Sequence, residues 1–268
     1  MLKKLFVHEW KDTWRLVGIM NLIVLGLTLI GTFFLNNETW NAADKNEFLA
    51  VTIVVYMMFF ITSVAVLSMV VMLSFFTRFY RNLYTDQGYL MHTLPVTAHQ
   101  LIWSKTFVAV IWSFISTVVM ITSIFSLVYS AIPSVDRDEF WMALRDFFAA
   151  AEFDGRFIGV IVLYVLLLVV AQFMSLFLGY ASISIGQTFK KQKVLGAIGV
   201  YIGIYMLIQT VSSYLSMFMT MSVNSSTAND EITFLLISLV ILLLVMAALA
   251  AGFYCITHYI MKNKLNLE

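Results

Sequence analysis

Residues 48–77 read FLAVTIVVYMMFFITSVAVLSMVVMLSFFT, which is a long run without a single charged side chain. A helix needs roughly 20 mainly apolar residues to cross the ~30 Å hydrocarbon core of a bilayer. Only helices and closed barrels satisfy their backbone groups in lipid, and this run lacks the strict polar/apolar alternation of a barrel strand. We therefore predict a membrane-spanning helix at about residues 48–76.

Five further charge-free runs of similar length occur along the chain, at 16–37, 106–135, 157–189, 194–229 and 232–261. Only 12% of the 268 residues are charged, whereas soluble domains carry about 25%. The sequence thus predicts an all-α polytopic membrane protein with a single transmembrane domain over 1–268. Its predicted spans are 16–35, 48–76, 101–130, 157–186, 194–218 and 232–261.

The lysines and arginines are unevenly divided between the two sides of this bundle. Twelve fall at the N-terminus, the second loop, the fourth loop and the C-terminus, and four fall in the alternate loops. Loops rich in Lys and Arg stay in the cytoplasm. Both termini are therefore expected in the cytoplasm, which agrees with an even number of spans.

Two amphipathic segments lie outside the predicted spans. Residues 1–15, MLKKLFVHEWKDTWR, alternate apolar and charged side chains at helical spacing. This pattern favours an N-terminal helix lying in the inner membrane interface, and the alternative is a lever that contacts cytoplasmic partners. Residues 136–151 predict an outer amphipathic helix that covers the bundle, or alternatively an extracellular gate. Its apolar face would carry Phe140, Leu144, Phe147, Phe148 and Ala151.

Small and polar residues within the runs predict helix contacts. One stripe has Gly179, Ser182 and Gly186, and another has Gly196, Gly199 and Gly203. Such stripes let helices approach closely, either within the chain or against a second copy. The larger polar side chains in the runs either line a substrate path or hydrogen-bond to a neighbouring helix. They are Asn21, Gln172 and Gln209.

Several kinds of chemistry have no sequence support. The chain has no phosphate-binding loop of the GxxxxGK[ST] type. No paired nucleophile and base mark an enzyme, and the four histidines show no metal-ligand spacing. A net charge of +1 does not indicate a nucleic-acid partner. We therefore expect neither catalysis, nor a metal, nor a bound cofactor. The charge-free runs also argue against a gradient-driven carrier, which usually keeps an ionisable group in a span.

The polar interruption 77–105 reads TRFYRNLYTDQGYLMHTLPVTAHQLIWSK, and we expect 77–100 as a cytoplasmic loop. Asp86 suits the start of a short helix, Gly88 permits a tight turn, and the helix should end before Pro95. Thr97 and Gln100 form a capping-box pattern at the next span. The loop carries apolar side chains outside the membrane, which favours a groove on a partner protein or folding back on the bilayer. These apolar residues are Tyr89, Leu90, Met91 and Leu94, and the expected cytoplasmic anchors are Arg78, Arg81 and Lys105.

The run from Arg81 to Lys105 resembles the cytoplasmic loop between spans two and three of bacterial ABC-2-type transporter permeases, particularly those of Gram-positive bacteria. The family pattern is an acidic-Gly-Tyr-Leu segment, then Leu-Pro-Val, then a Lys that opens span three. The matching positions are Asp86, Gly88, Tyr89, Leu90, Leu94, Pro95, Val96 and Lys105. One departure is the short loop between spans five and six, where many members carry longer re-entrant hairpins.

The resemblance implies a permease subunit of an ATP-driven exporter in the bacterial cytoplasmic membrane. A separate ABC ATPase subunit would bind ATP and magnesium, and a second permease copy or a sister permease would complete the transporter. The loop would form a coupling helix seated on the ATPase through Asp86, Gly88, Tyr89, Leu90, Met91, Leu94 and Pro95. The substrate would be amphipathic or hydrophobic, such as a peptide, a drug or a lipid-like molecule. The alternatives are a gradient-driven carrier and a non-transporting membrane anchor or sensor subunit.

Overall fold

The computed structural model describes residues 2–35, 39, 42, 46–85, 88, 96–132, 137–150, 155–189, 192–223 and 228–263. The described part of the chain is helical and contains no strand. Its seven helices are α1 (Leu2–Phe34), α2 (Glu47–Tyr84), α3 (Ala98–Ala131), α4 (Arg137–Ala150), α5 (Gly155–Gly186), α6 (Lys193–Val223) and α7 (Ala228–Asn263). All except α4 are long and apolar enough to cross a membrane, so each of the six predicted spans corresponds to a helix that could do so.

The helices extend beyond the predicted spans at their polar ends. α1 is one continuous helix of 33 residues, so the predicted interfacial segment 1–15 and the first span belong to the same helix. No Pro or Gly interrupts the chain before Gly18, and the Thr13 hydroxyl donates to the Glu9 carbonyl at 2.7 Å within the helix. α2 likewise continues to Tyr84. The first part of the loop predicted at 77–100 is therefore helical.

The start of α3 has the predicted capping box. The Thr97 N–H donates to Gln100 Oε1, and the Gln100 N–H donates to Thr97 Oγ1, both at 3.3 Å. This reciprocal pair satisfies two backbone donors that the first turn of a helix leaves without intrahelical partners. α3 therefore begins at Ala98, where the local sequence signal places it.

The chain divides into two compact units, and the division falls inside helices rather than at a linker. One unit, called here the α5–α7 unit, contains Phe76–Thr106 and Phe153–Glu268. The other, called the α1–α3 unit, contains Lys3–Phe75 and Phe107–Glu152. Since α2 and α3 each contribute to both units, the units share two helices.

In the α1–α3 unit, α1 and α3 run parallel. The Trp10 and Trp112 rings stack with centroids 4.9 Å apart, Asn21 hydrogen-bonds to Ser116, and Leu35 lies in one cluster with Leu127. The Tyr56 hydroxyl of α2 donates to the Leu27 carbonyl of α1 at 2.6 Å. The buried face of α1 repeats every three to four residues, as an α-helix requires. Its buried side chains include Thr13, Val17, Val24, Thr28 and Leu35.

The amphipathic helix α4 is present at 137–150, and the α3 end that precedes it contacts its first turn. Phe140 packs against the Phe125 and Tyr129 rings, and the Arg137 guanidinium lies 5.0 Å from the centre of the Tyr129 ring. Aromatic pairs and cation–π contacts of this kind are each worth roughly 1 kcal/mol. The first turn of the predicted outer helix is thus attached to the end of α3. Residues 133–136 and 151–154 lie outside the described part of the chain.

In the α5–α7 unit, α5 packs along α7 and α6, and its C-terminal half forms the core. Gly186 shows how close this packing is, because a Cβ there would lie 2.7 Å from the Cα and the backbone nitrogen of Ala197 in α6. A Cβ at Gly179 would collide with the Phe76 ring. The α5 glycine stripe therefore permits close packing as predicted. In the α6 stripe, a Cβ at Gly196 would lie 2.7 Å from the Phe189 ring, whereas Gly199 and Gly203 have no described atom within 4 Å of an added Cβ. Among the described residues, this stripe is therefore closely packed only at its first member.

Candidate functional site

The ends of α2 and α3 that flank residues 86–95 form the candidate functional site. Both ends belong to the α5–α7 unit. Tyr84 is the last residue of α2 and contacts Ser184 near the end of α5, and His99 near the start of α3 contacts Tyr254 of α7. The two ends of the intervening segment are thus attached to helices of one unit, the α2 end through a buried contact and the α3 end through an exposed one.

The α2 end is fixed by a buried aromatic stack and a buried hydrogen bond. The Phe79 and Tyr180 rings are nearly parallel, with centroids 3.9 Å apart, and both side chains are fully buried. The Tyr84 and Ser184 hydroxyl oxygens lie 2.7 Å apart. Since the Ser184 hydroxyl donates its proton to the Tyr180 carbonyl at 2.8 Å, Tyr84 is the donor to Ser184. A buried hydrogen bond of this kind contributes roughly 1 kcal/mol to stability.

The α3 end is fixed by an aromatic cluster that joins three helices. His99 Nδ1 hydrogen-bonds to the Tyr254 hydroxyl. Trp103, one turn further along α3, has its ring centroid about 6 Å from those of Phe177 in α5 and Tyr254 in α7. His258 stacks on Tyr254 one turn along α7. The first turns of α3 are therefore attached to both α5 and α7.

Most of the predicted coupling residues lie outside the described residues. These are Asp86, Tyr89, Leu90, Met91, Leu94 and Pro95. Gly88 is described and buried, and its N–H donates to the Thr85 carbonyl at 2.6 Å. This three-residue separation is the hydrogen bond of a tight turn, as predicted for Gly88.

The three predicted anchors have different environments. Arg78 and Arg81 lie on the last turns of α2, where Arg78 is half-buried and Arg81 is exposed. Lys105 is only 6% exposed, in contrast to the surface anchor that its place near the start of a span suggests. The reason is its position on the helix, because Leu101 and Ala109, one turn on either side, are also buried.

The polar residues predicted for a substrate path are not brought together by any contact that the structure describes. Asn21 lies in the α1–α3 unit, and its Nδ2 donates to the Val17 carbonyl at 2.9 Å and to Ser116 Oγ at 3.0 Å. It therefore joins α1 to α3, which is the alternative role that the sequence allows. Gln172 is half-buried on α5 and Gln209 is exposed on α6. Their role in a path stays a prediction.

Sequence reasoning missed the aromatic cluster around Tyr254. A partial signal exists, because His99 and Trp103, like Tyr254 and His258, are four residues apart and share a helix face. Nothing in that spacing indicates which helices meet. Gln187, just after α5, was also missed. It is 5% exposed, and its Nε2 makes no hydrogen bond to any residue that the structure describes.

No known protein family, curated protein or solved structure matches the chain. Among the residues that the structure describes, no three His, Cys, Asp or Glu side chains converge on a position that could hold a metal ion. The contacts described at this site are ring packing and hydrogen bonds between helix ends.

Proposed function

We propose that this chain is the membrane permease subunit of an ATP-driven exporter of the ABC-2 type. The observation that carries the proposal is the attachment of both ends of the segment 86–95 to helices of one packed unit. On the α2 side the attachment is the Tyr84–Ser184 hydrogen bond. On the α3 side it is the His99–Tyr254 hydrogen bond.

Such attachment is what a coupling segment needs in order to work. If a partner protein pushes on a segment whose ends are free, the segment bends and the spanning helices do not move. Here a displacement of the segment would act on the ends of α2 and α3, and through their ring contacts on α5 and α7. Closely packed interiors transmit such displacements because they are nearly incompressible.

The proposed complex contains components beyond this chain. A separate ABC ATPase subunit would bind ATP and magnesium and seat the segment around Leu90, while a second copy or a sister permease completes the transport path. Both termini and the segment 85–97 would face the cytoplasm of a bacterial cell. An amphipathic or hydrophobic substrate would leave outward or into the outer leaflet, consistent with the many exposed apolar side chains of the spans.

The test is affinity purification of the tagged full-length protein in a mild detergent, followed by mass spectrometry of the proteins that accompany it. We expect a stoichiometric ATPase with a phosphate-binding loop. Leu90→Asp should reduce its recovery at least roughly tenfold, because an unpaired carboxylate in an apolar groove is costly.

Thr188→Asp is the matched control for this variant. Thr188 is exposed on the turn after α5, near the same helix ends, so the variant adds the same charge without altering the segment. It should recover the ATPase at the wild-type level. Undiminished ATPase recovery with Leu90→Asp would refute the role of the segment, and no ATPase with the wild-type protein in several detergents would refute the exporter.

A gradient-driven carrier is the second candidate, and the burial of an ionisable side chain at the edge of a predicted span favours it. Lys105 of α3 is 6% exposed and directly precedes a charge-free run. Buried ionisable groups within membrane-spanning helices often belong to ion or proton pathways. This candidate predicts transport by reconstituted protein alone, abolished by a protonophore and independent of ATP. The exporter instead predicts transport that requires the ATPase subunit and ATP and that a protonophore does not abolish.

A further inference from the structure

One face of α1 carries a stripe of exposed side chains that are basic near the start of the helix and apolar further along it. Successive residues of an α-helix are rotated by about 100° around its axis. Each member of the stripe therefore points within roughly 20° of the mean direction of the group. In chain order they are Lys4, Lys11, Arg15, Leu22, Leu29 and Phe33, and all are exposed. Because α1 is continuous from Leu2 to Phe34, this stripe keeps one direction along the helix.

The apolar half of the stripe faces the acyl chains of the bilayer. Leu22, Leu29 and Phe33 are 66%, 62% and 84% exposed, and they lie in the part of α1 that is apolar enough to span a membrane. Exposed leucine and phenylalanine side chains are stable there because lipid tails are as apolar as they are. Acyl chains are therefore the occupant that we expect for this half.

The basic half begins where the headgroup layer begins. Arg15 directly precedes the charge-free run, and at 1.5 Å per residue Lys11 lies about 6 Å further along the axis. The headgroup region adds roughly 5–7 Å on each side of the hydrocarbon core. Both cations thus reach the level of lipid phosphates.

Trp14 flanks this boundary and supports the same placement. Its side chain is 55% exposed, and a ring carbon lies 3.6 Å from the position that a Cβ of Gly18 would occupy. The indole therefore leans along the helix toward the apolar half, as tryptophans do at the membrane interface. The nearest acid on the helix, Asp12, points about 100° away from Lys11 and about 60° away from Arg15, and Glu9 is buried on the opposite face. The cations of the stripe therefore outnumber the one exposed acid beside them.

We propose that this stripe is a binding site for an anionic phospholipid. The phosphate lies beside Arg15 and Lys11, the acyl chains lie along Leu22 and Leu29, and Trp14 closes one side at the headgroup level. A lipid fits this stripe because its anionic phosphate matches the basic half and its acyl chains match the apolar half. The site is independent of the proposed export function and of which side of the membrane α1 begins on.

The test uses the full-length protein in detergent, incubated with an equal mixture of phosphatidylglycerol and phosphatidylcholine that carry the same acyl chains. Native mass spectrometry then gives the ratio of the two lipids that remain bound. We expect the wild-type protein to prefer phosphatidylglycerol at least roughly tenfold, since each basic residue at the surface contributes severalfold to the binding of an anionic lipid. Lys11→Gln with Arg15→Gln should remove most of this preference.

Arg145→Gln with Arg156→Gln is the matched control. Both arginines are exposed and lie outside α1, so this variant loses two positive charges without altering the stripe. It should keep the wild-type preference. The proposal is overturned if the stripe variant retains the preference, or if both double variants lose it equally, because the effect would then follow net charge.

The wild-type protein alone provides a second measurement. Raising the salt concentration from about 0.05 M to about 0.5 M shortens the Debye length roughly threefold. The preference for phosphatidylglycerol should fall by at least about half if exposed cations hold the headgroup. No preference at low salt, or a preference that salt does not change, would overturn the proposal even if the stripe variant cannot be purified.

Discussion

Gly186→Ala should push α5 and α6 apart. The added Cβ would lie 2.7 Å from two backbone atoms of Ala197, its Cα and its nitrogen. Unstrained carbon contacts are about 3.5–4.0 Å, so the gap is roughly 1 Å too short. Backbone atoms cannot rotate away as the end of a flexible side chain can, and the two helices must separate or tilt.

The expected cost follows from the size of this overlap. Adding a methyl group to a closely packed interior typically costs about 1–3 kcal/mol. Separation of the helices would also weaken the packing of the α5 core, where Leu178, Tyr180 and Ala181 are buried. Alanine is a better helix former than glycine by up to about 1 kcal/mol, which offsets part of this cost. We therefore expect a net loss of roughly 1–2 kcal/mol in the free energy of unfolding.

Gly199→Ala is the matched control on α6. It makes the same chemical change on the neighbouring helix, but no described atom lies within 4 Å of its added Cβ. The assay is unfolding of the purified protein by a titration with sodium dodecyl sulfate, followed by tryptophan fluorescence. Gly199→Ala should be unchanged or slightly stabilised, and Gly186→Ala should be the less stable by about 1–3 kcal/mol. Equal stability of the two variants would refute the close contact of α5 with α6.

Two further predictions use the same unfolding assay. Tyr84→Phe should lower the free energy of unfolding by about 1 kcal/mol, because it removes a buried donor while Ser184 keeps its other hydrogen bond. The control Tyr164→Phe lies on an exposed face of α5 and should leave the stability unchanged. An equal loss of stability in both variants would contradict the buried hydrogen bond. Trp10→Ala should cost about 2 kcal/mol because it removes the stack on Trp112, whereas Trp14→Ala should cost less than about 0.5 kcal/mol in detergent. The same result for both tryptophans would show that the stack does not stabilise the protein.

The candidate site was predictable only in its local features. The capping box of Thr97 and Gln100 and the tight turn at Gly88 depend on residues three apart, and both are present. The partners of the flanking helix ends were not predictable. Tyr84 bonds to a residue 100 positions away, and His99 to one 155 positions away. No local sequence pattern indicates which of two residues so far apart along the chain will pair.

The sequence by itself determined that the chain is helical and that six of its helices can cross a membrane. The reason is physical: a charge-free run longer than the bilayer core must satisfy its own backbone, and a helix does so without any neighbour. The sequence also placed the apolar-to-basic change of α1 at Arg15, because charges stay out of the hydrocarbon core.

Only the tertiary structure decided which helices meet and which faces they use. In a membrane helix, apolar side chains face both lipid and neighbouring helices, so hydrophobic periodicity does not mark the packed face. Leu22 of α1 and Leu101 of α3 are equally apolar, yet the first is exposed and the second is buried. That choice of faces decides the burial of Lys105, the link that Asn21 makes between α1 and α3, and the contact of Gly186 with α6.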